Sequence, residues 1–221
     1  MALRGNKWVE RAAWTVGLVG LYGLLLGTQT LDALDLDFPR RDAIRAGGDR
    51  TRSLEVTVRA EAESVDEVTD ALSVLPSGYV DLVRERGARI EITTIDELKK
   101  VGLEPDTPLS VIAGVFVPSD VLMLVAHDAE HPGLTALHEM GHFVDHALGD
   151  CSFSEGFDAL WRKADDGRIP RYFLGSTREL FAYYFSSYYF SDRRRTRLAE
   201  DHPEAASFFT EMETGEPRCP G

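Results

Sequence analysis

The stretch "LHEMGHFVDH", residues 137–146, sets His138 and His142 four residues apart with Glu139 between them. On a helix that spacing puts two side chains on one face, with Cβ atoms about 5–6 Å apart. Two imidazoles placed so can meet one zinc ion at about 2.0–2.1 Å from each nitrogen. Glu139, beside His138, flanks the ion rather than facing it, and its carboxylate can take the proton of an attacking water. Two metal ligands and a general base on one helix is the mechanical content of an H-E-x-x-H pattern. The competing account is an exposed helix bearing two histidines by accident. The strand-like "VLMLVAH" just upstream and the small Gly141 inside the motif count against it.

His146 continues the four-residue step but does not serve as a third ligand. At about 1.5 Å per residue it lies about 12 Å along the helix from His138, out of reach of a shared ion. The longer pattern H-E-x-x-H-x-x-G-x-x-H also fails, since Asp145 stands at its glycine and Leu148 at its last histidine. His146 is therefore read as supporting or structural.

The third ligand must come from another segment, and Glu155, Asp158, Asp165, Asp166 and Glu179 are the downstream acids available. Glu155 and Asp158 fall at the expected start of a helix, where acids are favoured by the helix dipole alone. Glu179 lies in "STRELFAYYF", on the helix richest in aromatic residues and so the one expected to pack beside the metal helix. Ser176-x-x-Glu179 is equally a capping box, in which the glutamate needs no metal. Pattern alone supports both readings.

"LHEMGHFVDH" followed by "TRELFAYYFSSYYF" resembles the lethal factor-like and Pro-Pro endopeptidase family of zinc metalloproteases. The resemblance covers about residues 54–190, with its specific motifs confined to 138–146 and 172–190. It implies a zincin-like α+β domain with a small mixed sheet, a Zn²⁺ cofactor held by His138, His142 and Glu179, and Glu139 as catalytic base. It further implies that Tyr172, seven residues before Glu179, supports the oxyanion of the tetrahedral intermediate. One departure is Tyr183, which stands where members often carry an acid.

These residues need elements to hold them. "LEVTVRA" alternates Leu54, Val56 and Val58 as a half-buried strand. "SVDEVTDALSVL" opens a helix with the cap pair Ser64 and Glu67, and "SGYVDLVRERG" reads as a second helix ending at Gly87. "ARIEITTI" is a strand, and Thr94 with Glu97 caps a short helix. "SVIAGVFVPSDVLMLVAH" is two strands joined at Pro118–Asp120, one of which offers an edge on which an extended peptide can lie. The motif helix is expected over about Thr135–Leu148, another over Phe157–Ala164, then the aromatic helix and a last one over "HPEAASFFTEME". Strands first and helices later give an α+β layout.

The whole chain sets the boundaries. Its 221 residues suit one sizeable domain, here residues 53–221. A formal net charge of −13 with scattered basic residues excludes a nucleic-acid surface, and the "RRRTR" cluster at Arg193–Arg197 reads as a solvated helix end. Arg4, Lys7 and Arg11 precede an uncharged run from Ala12 to Leu31, and Asp32, Asp35 and Asp37 follow it. About 20 apolar residues span a bilayer, and the flanking charges place everything after Leu31 outside the cytoplasm. Residues 1–31 are thus a signal-anchor or signal peptide. The missing A-x-A site and the spaced glycines 17, 20, 23 and 27 favour an uncleaved anchor. Residues 32–52 form a linker. Cys151 and Cys219 are the only cysteines, an even number that suits a disulfide in an exported chain.

The function expected is a zinc-dependent endopeptidase acting on extracytoplasmic proteins or peptides. The alternatives are a zinc hydrolase with a non-peptide substrate, and a catalytically silent zincin-like domain that binds an extracellular partner.

Overall fold

The computed structural model describes residues 56–58, 62–99, 113–164, 167–214 and 217–220. The N-terminal apolar run, the linker, Asp165 and Asp166 lie outside the described residues, and no described helix is long and apolar enough to cross a membrane.

Four strands make one mixed sheet: β1 (Val56–Val58), β2 (Arg89–Thr93), β3 (Gly114–Val117) and β4 (Leu122–Ala126), in the order β1-β2-β4-β3. β1 and β4 run parallel to β2, while β3 returns antiparallel to β4 with Val115 opposite Leu124. The chain therefore places β3, not β4, at the outer edge. Of the two strands expected to offer an edge, β3 is the one at the rim of the sheet. Because the Ala126 N–H donates to the Ala113 carbonyl, antiparallel alternation turns the main-chain groups of Gly114 and Phe116 away from β4, towards the open side.

Helices α1 (Ala62–Ser73) and α2 (Ser77–Glu85) connect β1 to β2, and the short α3 (Ile95–Leu98) follows β2. The Thr94 hydroxyl caps α3 by accepting from the Glu97 N–H, as the sequence predicts. α1 starts at Ala62, two residues before the expected Ser64 cap. The motif helix α4 spans Pro132–Ala147, beginning three residues earlier than the pattern suggests. Pro132 sits in its first turn, where a missing N–H costs nothing.

α4 is buried on nearly every face. Such a helix belongs at the centre of a molecule. Phe116 of β3 packs edge-on against Phe143 on one side, and α6 (Thr177–Phe190) covers the other. Between them come a 3₁₀ turn at Cys151–Phe153, α5 (Glu155–Lys163) and a second 3₁₀ turn at Phe173–Gly175. α7 (Asp192–Asp201) and α8 (Pro203–Glu213) close the chain against the far side of α6. Their aromatic core joins Phe181, Phe185 and Phe209 around Phe157 and Phe208.

The arginine cluster lies in the largely exposed first half of α7. Ser191 interrupts the chain and caps α7 by accepting from the Arg194 N–H. Within α7, Arg197 pairs with Asp201, and Arg195 reaches Glu213 on α8. The expected disulfide is present: Cys151 joins Cys219, pinning the C-terminal tail to the turn after α4.

Candidate metal centre

His138 and His142 are buried on α4, each about 3% exposed, and face the first turn of α6. There Glu179 sets Oε2 3.3 Å from His138 Nε2 and Oε1 3.4 Å from His142 Nε2. One donor atom from each of the three residues fits within 4.8 Å of the others. Two ligands on a tetrahedral ion with bonds of about 2.0–2.1 Å stand about 3.3 Å apart. The donor spacing therefore suits zinc, as does the two-imidazole, one-carboxylate chemistry of the set.

The Ser176 hydroxyl caps α6 by accepting from the Arg178 N–H. Glu179 turns its carboxylate to the histidines rather than back to the cap, so the capping-box account does not describe its contacts. Of the other candidate acids, Glu155 is exposed and Asp158 pairs with Arg162 on its own helix. Neither joins the cluster, and Asp165 and Asp166 fall outside the described residues. His146 is exposed, its ring 5.8 Å from Phe116, and takes no part.

α4 and α6 approach closely here. A Cβ on Gly141 would meet Ala182 Cα at 2.8 Å and Phe185 Cβ at 3.1 Å. Only a glycine lets Glu179 come this near to both histidines.

Electrostatics tie the three groups together. Burial raises the energy of the Glu179 carboxylate, but the neighbouring His142 charge and the hydrogen bond to His138 hold its pKa well below the usual range. Burial alone would lower His142, yet Glu179, with Glu139 and Asp145 adding, lifts it to about 9. Burial lowers His138 despite its contact with Glu179. His142 and Glu179 thus each favour the charged form of the other.

Glu139 lies fully buried behind the histidines, and burial pushes its pKa up to about 8, with the His142 charge opposing. Neither of its carboxylate oxygens reaches a partner in full hydrogen-bond geometry, and the Phe116 N–H gives the charged form only partial support. A carboxyl near neutrality is suited to moving a proton in either direction.

Tyr172 is half-buried at the entry to the second 3₁₀ turn, its ring edge-on to Phe173 at 5.2 Å. Phe173 in turn lies 5.7 Å from the His138 ring. The turn thus brings Tyr172 to within one side chain of the candidate metal ligands.

Residues 112–212 match the family model described as anthrax toxin lethal factor, N- and C-terminal domain. These findings support the lethal factor-like family. Among solved structures, the chain is similar to the PRO-PRO endopeptidase (PPEP-2) from Paenibacillus alvei. The TM-score is 0.59 at 21% identity, over 74% of this chain and 99% of that one. The α+β fold, with its small mixed sheet and many helices, is shared with that structure. No curated protein matches the sequence. The matched region of the lethal factor-like model starts just before β3 and ends within α8, so it takes in the edge strand, α4, both 3₁₀ turns and α6.

Sequence reasoning missed Phe173 and the glycine at 114. A lone phenylalanine in a loop carries no periodic signal, and a glycine at the start of a strand announces a close contact only once its neighbour is known.

Proposed function

We propose that this protein is a zinc-dependent endopeptidase that hydrolyses peptide bonds of extracytoplasmic proteins. The observation that carries the proposal is the buried set His138, His142 and Glu179 with Glu139 behind it. The lethal factor-like match and the likeness to an endopeptidase favour a peptide as substrate.

His138, His142 and Glu179 would hold zinc. When bound, zinc supplies Lewis acidity, which makes water acidic near neutral pH and polarises a carbonyl. Glu139 takes the proton of the attacking water and passes it to the leaving amine. Its environment near neutrality serves both transfers. Tyr172 donates a hydrogen bond to the developing oxyanion, a contact worth about 10²–10³ in rate where such donors have been removed. The open side of β3 aligns the extended peptide by main-chain hydrogen bonding.

The setting proposed for this activity is outside the cytoplasm, with residues 1–31 as a membrane anchor. The basic flank before the apolar run and the Cys151–Cys219 disulfide both support export.

The test is cleavage of a diverse peptide library, enriched in consecutive prolines, by the full zinc-loaded chain, with Glu139→Ala and a chelator as controls. Cleavage lost in both controls is the expected result. A folded, zinc-loaded chain that cuts nothing would favour a non-peptide substrate or a binding role. A Glu139→Ala protein as active as wild type would overturn the assignment of the base.

A further inference from the structure

A histidine that binds metal through one nitrogen is commonly held in orientation by a hydrogen bond on the other. His138 is placed differently. Among the described residues its ring hydrogen-bonds Glu179 alone, through Nε2. What borders the ring instead is aromatic: Phe173, 5.7 Å away and tilted by 53°. Phe173 is itself stacked on Tyr183 at 4.6 Å and 29°, and it is 4% exposed.

The placement follows from the helix period. Tyr183 is four residues after Glu179, so both project from the same face of α6. Glu179 reaches the histidines and Tyr183 supports the wall beside them. The turn Phe173–Gly175 is thereby wedged between α4 and α6. It is held from outside by Trp161, whose indole N–H donates to the Leu174 carbonyl at 3.2 Å. Aromatic pairs with centroids 4.5–7 Å apart have preferred mutual orientations, so a stack of this kind can set a ring angle as well as fill space.

We propose that Phe173 is a positioning residue: stacked on Tyr183, it sets the angle of the His138 imidazole and the place of the adjoining Tyr172. The proposal rests on the metal-centre reading above. It gives this site an apolar means of orienting a ligand, and it couples the ligand geometry to the turn that carries Tyr172.

The experiment measures zinc affinity of the full chain by chelator competition, the absorption spectrum of the Co²⁺-substituted protein, and melting temperature. Phe173→Leu is expected to lower zinc affinity about tenfold or more, the range in which supporting residues act, and to shift the cobalt bands. Phe173→Tyr and Tyr183→Phe keep the rings and are expected to retain both properties. Tyr183→Leu removes the support and is expected to move affinity and spectrum in the direction of Phe173→Leu. A folded Phe173→Leu protein with wild-type affinity and an unshifted spectrum would overturn the proposal. If that variant does not fold, the same two readings on Tyr183→Leu decide. Failure of the wild-type chain to bind zinc would overturn the metal centre and this proposal together, whereas wild-type binding with silent variants would overturn this proposal alone.

Discussion

Gly141 and Ala182 mark a close approach of the two helices that carry the candidate metal ligands, with a notional Gly141 Cβ only 2.8 Å from Ala182 Cα. The contact lies between His138 and His142 on one helix and three residues beyond Glu179 on the other. Interhelix distance at this point therefore sets the reach of Glu179.

Gly141→Ala tests this. In an exposed helix the change would stabilise by up to about 1 kcal/mol through propensity. Here the added methyl meets backbone, which cannot swing aside, and overpacking of this kind costs about 1–3 kcal/mol. The expected outcome is a lower melting temperature together with weaker zinc binding in chelator competition. A stabilised protein with unchanged affinity would mean that the helices can separate without disturbing the ligands.

Gly114→Ala addresses the base rather than the metal. A Cβ there would fall 2.8 Å from both Cγ and Oε1 of Glu139 and 2.7 Å from Thr135 Cγ2. Glu139 must shift its carboxylate, and misplacement by about 1 Å can cost about 10²-fold in rate. We expect kcat to fall about 10- to 100-fold while zinc content stays at the wild-type level. Loss of zinc in parallel with activity would show that β3 supports the ligands and not the base alone.

Loading should release a proton. His142 is raised to about 9 in the metal-free protein, against burial, by Glu179 and its other acidic neighbours. Zinc requires the free imidazole, so below pH 9 binding must expel that proton. Apparent affinity should therefore climb with pH, by up to about tenfold per unit, and level off above about pH 9. The linkage sign is fixed by the direction of the shift. The protonated His142 stabilises the metal-free fold fully below its unfolded value, near 6.5, and that contribution is lost as pH rises through about 9. Calorimetry at pH 7.5 in buffers of different ionisation enthalpy should report at least one proton released per zinc, and none released would show that the pair carries no proton.

Glu179→Gln keeps the shape of the third ligand and removes its charge. The group that lifts His142 is then gone, and zinc affinity should fall by an order of magnitude or more, as loss of ligand charge in a buried site requires. Zinc retention equal to wild type would return Glu179 to a purely structural place at the start of α6.

How much of this was legible in the sequence differed by the kind of signal. His138, Glu139 and His142 could be read because a helix period converts spacing into a shared face. β1 was visible in its alternation and the other strands in their apolar runs and bounding turns, but their order was not. Nothing in "GVFV" says that it lies outside "LMLVA" rather than between it and β2. α7 was hidden because its sequence, "DRRRTRLAED", buries only Leu198 and so has no apolar stripe. Ser176 and Glu179 satisfy a capping box and a metal ligand with the same letters, and only the direction of the carboxylate separates the two. The supporting aromatic wall at Phe173 arises from contacts between three segments, which no local window contains.

The Cys151–Cys219 disulfide holds more than a tail. Cys151 begins the turn in which Ser152 grips Asp145, donating its N–H to Oδ1 at 2.6 Å and its hydroxyl to Oδ2 at 2.7 Å. Asp145 lies three residues after His142, on the metal helix. The residue preceding the turn, Asp150, pairs with Arg178 at 2.8 Å, immediately before Glu179 on α6. One short segment therefore braces both ligand-bearing helices, and the disulfide anchors that segment across 68 residues of chain. On the chain-entropy account a loop of this length is worth about 4 kcal/mol. Cys219→Ser should accordingly lower the melting temperature by well over 5 °C. Because the braces act on the ligand helices, zinc affinity at a temperature where the variant remains folded should fall as well. A variant that melts earlier but binds zinc as tightly as wild type would confine the disulfide to global stability and release the metal centre from its influence.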